Sequence, residues 1–277
     1  MWTSIRWGLL CLACLMAPAF SAEPKAKTTK LAAKAVYDTK PFDITADVLP
    51  RNYEGHDPRM LMAVSKSAPF KDEFETTEAF LPRVARWRAS PLFGTVTPDD
   101  FIAIRVLGVS LDKRYDADSR KLMIDLSEDM REGNGEAFIP FGSRRKDLGV
   151  GSGKTMMGVA FKWKRWITAE AGTRLNGLSR ARFDFIVDPE FAQSPWWDLY
   201  FIGRIEAPFY FSYETSHSPR IDEAYEYAAS YSGFAMNTEQ VWIVDRLTGK
   251  VMGKAALCPG QFIVTTCKID PAAASRR

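Results

Sequence analysis

The sequence predicts an α+β fold: one or two N-terminal helices packed on a mainly antiparallel, curled or doubled β-sheet of about 8–10 strands. Three observations carry this. Apolar residues recur at three- to four-residue spacing as far as Trp87, and at alternate positions after Pro98. Clusters of Gly, Pro, Asp and Ser separate the alternating runs. The 277 residues are 46% hydrophobic and 26% charged, an ordinary globular composition with enough apolar side chains for a sizeable core.

The helices come first. In "DPRMLMAVSKS", Asp57 is placed to cap the helix and Pro58 to occupy its first position. In "FETTEAFLPRVARW", Thr76 or Thr77 is the cap and Glu78 lies in the first turn, where the helix dipole favours it. Phe80, Leu81, Val84 and Trp87 then form one face, with Pro82 tolerated near the start.

The strands follow. "FIAIRVLGVSL" is one, and "KRYDADSRKLMIDLS" reads as strand, turn and strand. "TMMGVAFKWKRWITA" alternates with Val159, Phe161 and Trp163 on one face, which sends Lys162 and Lys164 outward as solvated charges. "RARFDFIVD", "LYFIGRI" and "APFYFSYE" are three more, and "EQVWIVDRLTGKVMGKAAL" is a hairpin with Gly249 able to take positive φ. "SRRKDLGVGSGKT" and "TSHSPRIDEAYEYAASYSGFAMN" are the two longest stretches without a clear period, and they read as irregular loops.

The first 21 residues have the three-part plan of a bacterial secretory signal peptide: Arg6, an apolar run over residues 8–20, and small Ala19 and Ser21 before a cut at Ala22. The run is shorter than the roughly 20 residues that span a bilayer, which favours cleavage over retention as an anchor. Residues 22–44, with five lysines, read as a flexible basic linker, residues 45–270 as a single α+β domain, and residues 271–277 as a disordered tail. The expected location is the periplasm or the medium, with no stable membrane insertion after cleavage. Cys258 and Cys267 remain, and an even count in an exported chain favours a disulfide worth roughly 2–3 kcal/mol. Closing it requires "CPGQFIVTTC" to fold back on itself.

Without the leader the chain carries 36 basic and 34 acidic residues, too close to neutral to imply a nucleic-acid partner. "LGVGSGKT" ends like a phosphate-binding loop, but Leu148 stands where the first glycine is required. The segment after Thr155 alternates like a strand where a helix is needed. Gly153, Lys154 and Thr155 therefore read as a turn, and neither a nucleotide nor any other cofactor is expected. "DADSRK" begins like a calcium loop, but Arg120 occupies a ligand position. The two histidines, His56 and His217, have no partner at metal-ligand spacing, so no metal is expected.

Catalysis lacks a local signature. Ser212, Glu214, Ser216 and His217 are sequence neighbours, and no G-x-S-x-G elbow occurs. Acids such as Glu206, Glu214, Asp222 and Glu223 could serve a hydrolase of envelope polymer. Aromatic side chains offer the other idea. Trp196, Trp197, Tyr213 and Tyr225, with His217 among them, are candidate ligand-binding residues on a β scaffold, against the plain alternative that they fill core.

Four phrases resemble a loose group of uncharacterised exported bacterial proteins. "KDEFETTEAFLPRVARW" is similar to their FET-x-E helix, and "YDADSRKLMIDL" to their next hairpin. "GVGSGKTMMGVAFKWK" resembles their glycine turn, and "EQVWIVDRLTGKVMGKA" their closing VW-V-D-x-x-TG-x-V hairpin. The resemblance implies one α+β domain and carries over no activity. The expected function is a non-catalytic binding or structural component of the cell envelope, with an envelope protein or glycan as partner. The alternative is the hydrolase drawing on acids in residues 206–223.

Overall fold

The computed structural model describes residues 37–106, 111–126, 137–176 and 182–257. The expected signal segment, most of the expected linker, Cys258, Cys267 and the expected tail lie outside the described residues. Three helices and nine strands are present among those described: α1 (Pro58–Ser65), α2 (Thr77–Arg88), β1 (Ile102–Arg105), β2 (Leu111–Asp116), β3 (Lys121–Leu126), β4 (Ala137–Lys154), β5 (Ala160–Asn176), β6 (Arg182–Ile186), α3 (Pro189–Gln193), β7 (Trp197–His217), β8 (Tyr225–Asp245) and β9 (Val251–Ala256). The class is α+β dominated by sheet, as the alternation after Pro98 predicts.

Both predicted helix starts form. The Asp57 carboxylate accepts from the Arg59 and Met60 amides, and the Thr76 hydroxyl accepts from the Ala79 amide. α2 buries no residue fully, and Leu81 points into solvent; only Val84 and Trp87 of its expected face reach the core. The short α3, begun by Asp188-Pro189, is too brief to leave a periodic signal.

Two antiparallel strands, β7 and β8, of 21 residues each, form the spine. Straight, each would span about 70 Å. At one end of this hairpin β1 adds to β7 and β9 adds to β8. One face of this end carries Ile104, Phe201, Val241 and Ile243, and packs on the three-stranded sheet β2-β3-β6 through Leu122, Ile124, Phe183 and Phe185. The other face carries Tyr200, Ile202, Trp242 and Val244, covered by Phe42, Leu49 and Tyr53. The last linker residues are thus part of the fold: Phe42 is buried, and its amide donates to the Phe101 carbonyl. Burying a ring such as Trp242 contributes about 1.5–3 kcal/mol.

His56 fastens this N-terminal strap. It is fully buried; the Ala103 amide donates to its Nδ1 at 3.0 Å, and its Nε2, 2.9 Å from the Lys40 carbonyl, donates there. The ring is therefore held neutral, and burial lowers its pKa from the ordinary 6.5. The unfolded chain takes up this proton below about pH 6.5 and the folded one does not, so stability is full above that value and falls as pH drops. His56→Ala is expected to cost roughly 2–3 kcal/mol through the cavity and two orphaned backbone groups. Thermal melts should show the drop, and the variant should lose part of the wild-type decline between about pH 7.5 and about pH 5.5.

Candidate functional site

At the other end of the spine the hairpin leaves the core. Register slips between Ile205 and Tyr210, where residues 206–209 face a single residue of β8. Beyond the slip, β5 joins β8 in parallel and β4 joins β5 antiparallel, giving a four-stranded arm. Every residue from 140 to 171, and every one from 212 to 228, is at least partly exposed. Both stretches read as irregular in sequence are thus strands. "SRRKDLGVGSGKT" lies almost wholly in β4, and all but the first few residues and the turn of "TSHSPRIDEAYEYAASYSGFAMN" belong to β8. Glycine, serine and alanine at the alternate positions hid their period.

Register places paired side chains on one face. Trp166, Tyr227 and His217 stand side by side across β5, β8 and β7. Trp166 and Tyr227 are 5.8 Å apart at 13°, and Tyr227 and His217 5.8 Å apart at 9°. Tyr225 stacks on His217 at 4.5 Å, and the Arg145 guanidinium lies 4.4 Å over Trp166. Four residue pairs further along, Tyr231 and Tyr213 stack at 4.9 Å and 11°. Phe138, Phe211 and Arg174 carry the row on towards the core. Rings stacked on one another across strands turn their faces inward and their edges to water. Such pairs contribute about 0.5–1.5 kcal/mol each and stiffen the sheet, and each face held between two rings is closed to a sugar. Beside the second row, burial raises the Glu170 carboxyl above the usual range.

The opposite face explains the glycines. The Trp163 indole lies across β4, so that a Cβ on Gly151 would meet the ring at 2.5 Å and one on Gly153 at 3.1 Å. Its Nε1 donates to Glu226 at 2.8 Å, and Arg165 pairs with the same carboxylate at 3.0 Å. These bonds hold the Glu226 carboxyl below its usual range. Gly149, at φ +80°, sits at the β-bulge after Asp147. Lys154 pairs with Ala160 within the ladder, so "GSGK" is extended strand and the turn falls at residues 155–159.

The five sequence-predicted site residues separate. Tyr213, His217 and Tyr225 come together on the arm. Trp196 and Trp197 lie at the far end of β7, twenty residues from His217, about 65 Å along a straight strand. Trp197 is half-buried against the core beneath Lys113. Trp196, 51% exposed, borders a shallow depression with Arg51, Asn52, Arg246 and Leu247. Arg246 of that rim approaches Asp198 at 3.8 Å, and Asp198 at 2.9 Å and Glu54 at 2.6 Å hold the largely covered Arg105 side chain between them. Burial raises the Asp198 carboxyl despite the pull of Arg105 and Arg246. Trp166, Tyr227 and Tyr231 complete the arm's ladder, and the alternation Tyr225-x-Tyr227 was the signal for it.

The acids of residues 206–223 do not converge. Glu206 sits in the slipped segment, and Glu214, paired with Ser230, faces away from His217. Glu223 alone of these acids approaches a histidine, at 3.2 Å from the His217 Nε2, an atom covered by its neighbours. Among the described residues no group of three His, Cys, Asp or Glu is placed to hold a metal. The chain matches no family model, no curated protein and no solved structure.

Two outcomes test this geometry. Gly151→Val is expected to lift the Trp163 indole off β4, seen as a red shift and loss of intensity in tryptophan emission, with little change in the melting of the body. ATP should leave the melting temperature of wild type and of Lys154→Ala unchanged; a shift of several degrees would mean that the strand rearranges around phosphate.

Proposed function

We propose that this chain is a non-catalytic binding or structural component of the bacterial cell envelope, exported to the periplasm or the medium, whose β-arm presents the contact surface. The observation that carries this reading is the arm itself. Every residue from 140 to 171 is at least partly exposed, on both faces of β4 and β5. A sheet solvated on both faces gains little from apolar burial, and the aromatic ladder supplies the stiffness in its place. A rigid projection of this kind holds its end away from the core.

The arrangement of acids favours binding over hydrolysis. Glu206, Glu214 and Glu223 belong to different faces or segments, whereas general acid–base work needs two groups converging on one bond. The inward-turned ring faces favour contact through the arm's end and edges over glycan stacking on its flat side.

Site-specific photo-crosslinking in cells tests the reading. A crosslinking residue at Ser152 or Val159 in the arm is expected to give adducts with an envelope component, and one at Thr248 in the β8–β9 turn is not. Adducts from Thr248 alone would place the contact surface on the body and overturn the proposal.

A further inference from the structure

The end of the arm has a composition of its own. β4 and β5 run past the start of β8, whose Tyr225 pairs with Lys164, so residues 151–163 form a free two-stranded hairpin. Its turn is tightly bonded. The Thr155 amide donates to the Val159 carbonyl at 2.9 Å, the Gly158 amide to the Thr155 carbonyl at 2.9 Å, and the Val159 amide to the Thr155 hydroxyl at 3.1 Å. This fixed turn holds Met156 fully in solvent, Met157 at 93% exposure and Val159 at 54%. Val150 is exposed behind them.

Cations stand behind the apolar tip, Lys154 and Lys162 close to it and the others further down β4 and β5. Residues 142–166 contain seven Lys and Arg and one acid, Asp147, in a chain whose total is only +3. Register puts Lys154, Lys162 and Lys164 on the face of Trp166, and Arg144, Lys146 and Arg165 on the other. Arg165 is paired with Glu226, whereas Lys154, Lys162 and Lys164 have no carboxylate within ion-pair distance among the described residues. Edge protection accounts for cations on β4 and for Lys162, which lies beyond the start of β8, but not for Lys164, which β8 flanks through Tyr225.

From this combination we propose that the hairpin tip docks on an anionic phospholipid surface, with Met156, Met157 and Val159 entering the headgroup boundary and the lysines lying against the lipid charge. Apolar side chains at the leading end and cations behind them match the layered chemistry of such a surface. A nucleic acid or other soluble polyanion would engage the lysines and leave the methionines in water. The docking is peripheral and reversible, in keeping with a tip of three apolar residues, and it deepens the envelope-binding reading on which it rests.

Vesicle sedimentation of the chain beginning at Ala22 tests it. The chain is expected to pellet with vesicles of equimolar phosphatidylcholine and phosphatidylglycerol and to stay in solution with phosphatidylcholine alone. Met156→Ser with Met157→Ser should weaken pelleting about tenfold or more. Lys162→Glu with Lys164→Glu should weaken it at least about 25-fold, since each cation near an anionic surface is worth roughly fivefold. All four positions are exposed, and unchanged melting of both variants confirms that they fold. No pelleting with the anionic vesicles, or pelleting untouched by the methionine changes, overturns the lipid proposal. So does heparin binding that depends on the lysines with no anionic-vesicle binding, which would mark a polyanion site. Lipid failure combined with protein adducts from Val159 in cells would leave the envelope-binding reading standing. Adducts from Thr248 alone would remove that reading as well.

Discussion

The structure depends on one constraint: a single hairpin, β7–β8, is buried at one end and solvated at the other. At the buried end its two faces carry large apolar side chains, Tyr200, Phe201, Trp242 and Ile243 among them, and each face has its own cover. At the solvated end the same strands carry Ser212, Glu214, Thr215 and Ser216 against Ser232, Ser230, Ala229 and Ala228. Backbone pairing runs through both, so hydrogen bonding does not distinguish them; side-chain burial does. The transition falls at residues 206–209, where the ladder slips. There Trp87 of α2 packs on Phe209 at 4.7 Å and Lys66, following α1, lies over Tyr210. The helices thus brace the place where core gives way to arm.

The arm solves a different problem. A sheet open to water on both faces cannot rely on a core, and an open edge invites further strands. Its aromatic rings therefore bury one another. Trp166, Tyr227, His217 and Tyr225 form one group, and Tyr231 and Tyr213 a second. On the reverse side, Trp163 covers the bare backbone of Gly151 and Gly153 and ties β5 to β8 through Glu226. The glycines and the tryptophan form a single device, since neither the flat seat nor the ring lying on it makes sense alone.

The sequence disclosed whatever depends on local period or local chemistry. Asp57 and Thr76 marked their helices because a cap bonds within its own turn. The β8–β9 turn was legible because Gly249 must take φ +78°. What stayed hidden depends on distant pairing. β5 and β8 are parallel and separated by β6, α3 and β7, so nothing local announces that Trp166 meets Tyr227. β4 escaped notice because its strand is written in glycine, serine and basic residues, with few apolar positions to alternate. Trp196 and Tyr213 looked like neighbours because they are close in sequence, yet an extended strand turns sixteen intervening residues into separation.

Charge shows the same limit of averages. The chain has 37 basic and 34 acidic residues, and that balance argues against an acidic partner only if the charges are mixed in space. They are not. Residues 142–166 hold seven of the basic residues and one of the acidic ones, which leaves 30 against 33 elsewhere. Fields at a surface depend on the charges within about a Debye length, roughly 8–10 Å, not on the molecular total. A projecting hairpin makes that separation physical at its tip: Lys154 and Lys162 lie beyond the start of β8, whereas Lys164, paired with Tyr225, has Glu223 and Glu226 as near neighbours. A nearly neutral protein can therefore present a strongly basic tip, and the fold, through the length of β4 and β5, sets how far that tip stands from the charges that would otherwise cancel it.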